Sequence, residues 1–320
     1  MKTKIYKIKN EGENMNLKEL YNNGTNIMRY FRENTNSEAN SVDAILVSYD
    51  LQAGSYIDFV ESNKSCDNFH INGNKTTMNT KEYVQEFCKY VASEIDKFEY
   101  SSILEAGVGE ATSFNFVMQN LKNKDAKKYG FDLAPSRIKK GMEYLDKYKT
   151  EADLFVGNLL ETPFGDNSFD IVYTIHALEP NTKNAMKIVQ ELLRITNKYL
   201  LLFEPSYELG NQATKDNIDR NKYIKNLYND VKTIPDIEIL KYELCPIGTY
   251  SNQPAIMVIK KLGSTSNNGD TKYSCPICHR TLTKSGENYY CDECMFVYPV
   301  IQNIPLLTRE NGILFTQYLK

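Results

Sequence analysis

The sequence has no long apolar run, no surplus of positive charge and no internal repeat. No stretch approaches the ~18 consecutive apolar residues that span a bilayer, which excludes a helical membrane span and a membrane partner. Lysine and arginine number 38 against 41 aspartates and glutamates, a formal charge of −3. That balance withholds the overall positive field of a dedicated nucleic-acid binder, while leaving room for a local patch. The opening Met1-Lys2-Thr3-Lys4-Ile5-Tyr6-Lys7-Ile8-Lys9 is basic but lacks an apolar h-region, so it does not read as a secretory signal. Seven cysteines are present, four of them in two CxxC pairs near the end. Such pairing suits a metal in a reducing compartment better than disulfides, and Cys66, Cys88 and Cys245 read as ordinary thiols. A cytoplasmic protein is expected, with one large domain and one small module among its 320 residues.

Four segments are predicted: a helical extension or lid over 1–97, an α/β domain over 98–262, a linker over 263–272 and a cysteine module over 273–320. In the first, Leu17, Leu20, Ile27, Met28 and Phe31 follow a helical spacing, as do Val42, Ile45, Leu46 and Tyr49 behind a Ser41 cap. A third helix starts near Thr80 and buries Tyr83, Val84, Phe87, Val91 and Ile95. Between them lies a polar loop with Asp67, Asn68, Asn72, Gly73 and Asn74; no strand is expected before residue 98. Beyond it, strands at 103–106, 128–132, 154–157, 169–175 and 199–203 alternate with amphipathic helices. That order predicts parallel strands with crossover helices on both faces. Strands at 237–244 and 255–259 are joined by too few residues for a helix and should close the sheet as an antiparallel pair.

The segment Ile103-Leu104-Glu105-Ala106-Gly107-Val108-Gly109-Glu110-Ala111-Thr112 reads as a buried strand, a glycine turn and a helix start. Gly107 and Gly109 let a ligand lie against bare main chain, and the helix start offers unpaired N–H donors. A dinucleotide site would want a third glycine where Thr112 stands, and would set pyrophosphate beside the anionic Glu110. A cationic or zwitterionic ligand fits better, which points to S-adenosylmethionine.

Further motifs follow in chain order. Asp132 ends the second strand, where a carboxylate can accept from both ribose hydroxyls. Gly157-Asn158-Leu159-Leu160-Glu161-Thr162-Pro163-Phe164 is a turn, and Asn167-Ser168-Phe169-Asp170 leads into the fourth strand. Together with the terminal strand pair, this set resembles the class I S-adenosylmethionine-dependent methyltransferases over about 83–261. The resemblance implies a Rossmann-like α/β fold and a cofactor site of Glu105, Gly107, Gly109, Asp132, Leu133, Asn158, Leu159 and Thr174. It implies that Leu133 and Leu159 sandwich the adenine, with Asn158 standing where the family usually has Asp. An Asn carbonyl still accepts from the adenine amino group.

On the acceptor side the fourth strand ends in Thr174-Ile175-His176-Ala177-Leu178-Glu179-Pro180-Asn181. The Asn/Asp-Pro-Pro-aromatic tetrapeptide of families that methylate planar amide or adenine nitrogens is absent there. His176 is the catalytic candidate as general base; the alternative is a packing role against the cofactor. Glu204 follows the fifth strand on the same rim, and Gln52 and Tyr56 in the amino-terminal helices are further candidates for substrate contact.

Cys275-Pro276-Ile277-Cys278, twelve residues, then Cys291-Asp292-Glu293-Cys294 is a strong metal signature. Four thiolates fill a tetrahedral zinc site, leaving no open position, so the ion is structural. His279 neighbours the set without being needed. Over about 273–307 the module resembles the small zinc-ribbon activators of methyltransferases, which implies that it docks on its own catalytic domain. The leading expectation is methyl transfer to a small-molecule or sugar-like acceptor, by O- or N-methylation. The alternative is a tRNA or rRNA methyltransferase with its activator fused in cis; a third reading is a binding scaffold on a decayed fold.

Overall fold

A computed structural model describes residues 16–263 and 271–319. The basic opening at 1–9 and most of the expected linker lie outside the described residues.

The amino-terminal segment builds four helices, α1 (Leu17–Asn22), α2 (Ile27–Thr35), α3 (Val42–Leu51) and α4 (Ser55–Glu61). The apolar spacing from Leu17 to Phe31 is split between two helices rather than held on one. Gly24 takes φ +83°, and Asn26 starts α2 by accepting from the Arg29 amide at 2.9 Å. Ser41 caps α3 as its sequence suggests, accepting from the Ala44 amide.

The expectation of no strand before residue 98 fails. β1 (Ser65–Ile71) and β2 (Asn74–Asn79) form a hairpin where a polar loop was expected. Its turn is Asn72-Gly73, both at positive φ, the dipeptide that the right-handed twist of paired strands favours. Helix α5 (Thr80–Ile95) follows and buries Tyr83, Val84, Phe87, Val91 and Ile95.

The main sheet then grows through β3 (Ser102–Ala106), α6 (Thr112–Asn120), β4 (Lys127–Asp132), α7 (Pro135–Tyr148), β5 (Asp153–Val156), β6 (Phe169–Ile175), α8 (Ala185–Ile195) and β7 (Thr196–Pro205). Two short helices, α9 (Gln212–Asn221) and α10 (Leu227–Val231), precede β8 (Ile237–Leu244), β9 (Ile247–Thr249) and β10 (Pro254–Lys261). The seven-stranded sheet has the order β5-β4-β3-β6-β7-β10-β8. Its first five strands are parallel, and β10 runs antiparallel between β7 and β8. This is the expected mixed α/β fold with its terminal antiparallel pair. The loop between β8 and β10 is not a bare turn: β9 leaves the main sheet and pairs with β1.

Side chains alternate across the sheet, so Ile103 and Tyr173 join one apolar cluster and Leu104 and Val172 the other. Strand order reverses between β3 and β6. In open α/β sheets the loops leaving such a point diverge and leave a crevice. Here those loops are 107–111 and 176–184.

The cysteine module adds β11 (Thr283–Ser285), β12 (Asn288–Cys291), β13 (Phe296–Tyr298), β14 (Val300–Ile301), β15 (Ile304–Pro305) and β16 (Ile313–Leu314). Leu306 bridges Val156 in parallel, and the Leu307 amide donates to the Val156 carbonyl at 2.9 Å. Cys275, Cys291, Tyr298 and Leu307 share an apolar cluster with Phe155 and Phe164.

Candidate active site

Gly107 and Gly109 both take positive φ, +83° and +57°, so the chain can turn sharply between β3 and α6. Their bareness is also steric. A Cβ on Gly107 would lie 2.5 Å from the Ala177 methyl, and one on Gly109 would lie 2.7 Å from Nη2 of Arg137. The strand end and the loop after β6 therefore approach closely because no side chain separates them.

Beside this turn is a narrow space of about 120 Å³, lined by Gly107, Asp132, Leu133, Arg137, Asn158 and Leu159 among others. Asp132 accepts from the Gly109 amide at 3.0 Å and from the Ala134 amide at 2.9 Å. Its two oxygens offer about four lone-pair sites, so the carboxylate keeps capacity for a further donor pair. Leu133 and Leu159 both reach the same space. Asn158 turns its Oδ1 to the Leu160 amide at 3.0 Å, fixing the loop on which it stands.

Arg137 was not anticipated. Its guanidinium is buried between Tyr49 and Tyr56, 4.9 and 4.7 Å from their ring centroids. It lies 3.8 Å from Glu110 and 3.8 Å from Asp132. Burial alone would lower its pKa; Asp132, the two phenols and Glu110 outweigh that and raise it. Glu110 also accepts from the Ile57 amide at 3.0 Å, so α3 and α4 are drawn down over the turn by one cation and one carboxylate. Asp50 of α3 adds bonds to the Ser136 amide and hydroxyl at 2.8 and 2.9 Å.

A larger cavity of about 640 Å³ opens on the other side of Gly107. Tyr49, Tyr56, Gly107, Ile175 and His176 line both spaces, which therefore meet at the carboxyl ends of β3 and β6. Gln52 and Tyr56 are on its wall. Among the described residues no lysine or arginine lines it.

His176 sits at φ +52°, an uncommon conformation for a residue with a side chain, and its amide donates to the Phe203 carbonyl at 3.0 Å. The ring's Nδ1 bonds to Glu179. Burial works to lower the imidazole pKa, but the charge and hydrogen bond of Glu179, with Glu204 beyond, raise it above its ordinary value.

Two expected residues, Thr174 and Glu204, stand behind the walls. Thr174 is fully buried and lines neither space; the pleat turns Ile175 inward instead. Glu204 is not on the acceptor rim. It is buried, accepts from the Ala177 and Leu178 amides at 3.0 and 3.2 Å, and so holds the loop after β6 from beneath. Burial first, then Glu179, pushes its carboxyl up to about 7. Glu105 reaches the larger cavity at its floor, where burial pushes its carboxyl up to about 8 and the Tyr173 hydroxyl donates to it.

Residues 103–198 match a family model described as a methyltransferase domain. That stretch of this chain is similar to the family. Among solved structures, the [4+2]-cyclase SpnF aligns with a TM-score of 0.55 at 12% identity, over 70% of this chain and 97% of its own. Magnesium protoporphyrin IX methyltransferase (ChlM) from Synechocystis PCC 6803 with bound SAH gives 0.49 at 11%, over 67% and 98%. A putative sarcosine dimethylglycine methyltransferase from Galdieria sulphuraria gives 0.44 at 14%, over 57% and 87%. At 12% identity the likeness to SpnF is one of fold. No curated protein matches the sequence. The two glycines, Asp132, Asn158 and His176 all fall within the matched residues; Gln52, Tyr56 and the cysteine pairs fall outside them.

The four paired cysteines converge, every Sγ within 4.8 Å of the others. Ligands ~2.3 Å from a tetrahedral zinc would be ~3.8 Å apart, so the set matches one ion. Amides of Ile277 and Cys294 point at Cys275 and Cys291 sulfurs, each at 3.4 Å, as donors that favour thiolates. His279 is not in the cluster. The module contacts the turn that carries Asn158 and Leu159: Arg309 donates to Glu161 at 2.8 Å, and the Ser274 amide to the Pro163 carbonyl at 2.8 Å.

Sequence reasoning missed Arg137, Glu179, Asn217 and Asn252. Arg137 carried one usable signal, its place in the first turn of the helix that follows Asp132. Asn217 and Asn252 carried none, because they belong to α9 and the β9–β10 turn and reach the site only through the tertiary fold.

Proposed function

We infer that the protein is an S-adenosylmethionine-dependent methyltransferase acting on a small-molecule acceptor. The observation that carries the reading is the meeting of two spaces at Gly107 and His176. One is narrow, with a carboxylate and two leucines; the other is large enough for a ligand and has no lysine or arginine among its described lining residues. Asp132 would hold the ribose, Leu133 and Leu159 the two faces of the base, Asn158 its amino group, and the Gly107–Gly109 main chain the methionine part. Glu105 and Thr174 support that wall. When bound, the cofactor supplies a methyl group already activated by its sulfonium charge, so the protein's work is alignment and exclusion of water. The lid formed by α3 and α4 serves the second task.

The same fold serves the [4+2]-cyclase SpnF, so methyl transfer is read from the site and not from the fold. An RNA acceptor is disfavoured because phosphate binding needs a surplus of lysine and arginine, and the described lining of the larger cavity has neither. The cysteine cluster would hold a structural zinc, giving a module too small for its own core a reason to fold against β5. The test is labelled-methyl transfer with fractionated extract, small molecules separated from RNA and protein. Label in the small-molecule fraction alone is expected; label in RNA would replace this reading with the tRNA or rRNA one.

A further inference from the structure

The larger cavity contains a directed chain of hydrogen bonds that ends on His176. Asn221 Nδ2 donates to Asn217 Oδ1 at 2.9 Å, and Asn217 Nδ2 donates to Asn252 Oδ1 at 3.0 Å. Asn252 Nδ2 then donates to both oxygens of Glu179, at 3.3 and 3.1 Å. Glu179 in turn holds Nδ1 of His176. All five side chains line the cavity. Each amide spends a donor toward the Glu179 end of the chain, and Asn252 presents its hydrogens to both Glu179 oxygens. A carboxylate on Nδ1 fixes the neutral imidazole with its proton on Nδ1 and its lone pair on Nε2. The same arrangement of acid, imidazole and reacting hydroxyl recurs wherever a histidine must strip a proton from oxygen.

The surrounding wall describes what that lone pair meets. Tyr49, Tyr56, Phe59, Tyr83, Phe87 and Tyr223 supply ring surface, while Glu179 and Glu105 are its acidic groups. An anionic acceptor would find no lysine or arginine among the described lining residues to replace its water.

We propose that the acceptor is a neutral or cationic ring compound bearing a hydroxyl, and that Glu179, oriented by Asn252, positions His176 to remove the hydroxyl proton. The proposal rests on the methyltransferase reading. An amine acceptor needs only to be neutral, whereas an alcohol or phenol gains from a base during attack. In the step, the acceptor oxygen forms a bond to the donor's methyl carbon and the carbon–sulfur bond breaks. Sulfur keeps the electron pair and becomes a neutral thioether, and the hydroxyl proton passes to Nε2 of His176.

The titratable groups around His176 are Glu179 on its own loop, Glu204 on β7, Glu105 on β3 and Arg137 on α7. The phenols of Tyr49, Tyr56 and Tyr223 are held un-ionised by burial. Glu179 is the group that bonds the ring, so its loss should move the titration most.

The experiment has three arms on the full chain. With only three histidines, His70, His176 and His279, each imidazole can be followed by NMR, and His176→Gln assigns its signal. In Glu179→Gln the His176 pKa is expected to fall by about one unit or more, as loss of an adjacent charge requires. Calorimetry then follows 4-ethylphenol, tyramine and 4-hydroxyphenylpropionate, three phenols that differ in charge. Binding of the first two, at least tenfold tighter than the third, supports the proposal. The last arm is S-adenosylmethionine binding and labelled-methyl transfer to the bound phenols, where Glu179→Gln should lower kcat at least tenfold and leave donor affinity unchanged. An unmoved His176, preferred binding of the carboxylate, or no binding of any phenol at millimolar concentration overturns the proposal. Loss of donor binding alone, with the other two arms intact, instead overturns the methyltransferase reading.

Discussion

Replacing Gly107 by alanine separates two demands that the turn makes on its backbone. The first is conformational: at φ +83° an L-residue is disfavoured by about 1–2 kcal/mol, less about 0.4–1 kcal/mol gained by restricting the unfolded chain. The second is steric. The new methyl would sit 2.5 Å from the Ala177 Cβ, and Ala177 cannot retreat freely because its amide donates to Glu204 at 3.0 Å. Overpacking of that kind costs about 1–3 kcal/mol. Gly107→Ala should therefore lower stability by about 1–5 kcal/mol, centred near 3. Gly24→Ala has the same φ of +83° with nothing within 4 Å, so it isolates the backbone part and should cost about 1 kcal/mol. Adding Ala177→Gly to Gly107→Ala should recover the steric part. Urea unfolding followed by circular dichroism measures all four proteins. The reasoning is refuted if Gly107→Ala is as mild as Gly24→Ala, or if the second substitution recovers nothing.

Three further outcomes are expected. Glu105 binds a proton in the folded state that the unfolded chain releases, because burial raises its carboxyl to about 8. Wild-type stability should thus fall as pH rises from about 5 to 8, and Glu105→Gln should flatten that slope by an amount on the order of 4 kcal/mol. A variant as steep as wild type would contradict the assignment. Arg137→Met leaves the buried Glu110 and Asp132 without their shared cation. It should cost about 3–5 kcal/mol and speed amide exchange in α3 and α4; exchange unchanged there would mean the lid is held by other contacts. Purified protein should contain one zinc per chain, and Cys291→Ser should lose it with a lower Tm. A metal-free preparation whose Tm ignores chelators would end the zinc assignment.

The parallel strands were legible because continuous apolar runs separated by amphipathic helices leave little choice of architecture. The glycine turn and Asp132 were legible because spacing along one strand–turn–helix unit encodes them. The β1–β2 hairpin was misread although Asn72-Gly73 announces such a turn; its strands are polar and half-exposed, so they lack the alternation that marks a strand. Thr174 and Glu204 were placed on the wrong side of the wall. Which face of a strand meets a cavity depends on the register with its neighbours, here Thr174 against Leu202 and Glu204 against Ala255. The Asn217–Asn252–Glu179 chain joins three separate loops and helices, and nothing local in the sequence links them.

Donor binding at the β3–β4 edge is the proposition on which the rest depends. Calorimetry with S-adenosylmethionine should give micromolar affinity for the full chain. Asp132→Asn keeps an acceptor oxygen for the backbone but loses the charge, and should weaken binding about tenfold to a hundredfold, the worth of one or two charge-assisted hydrogen bonds. No heat with the native chain, or an Asp132→Asn affinity equal to wild type, would contradict it.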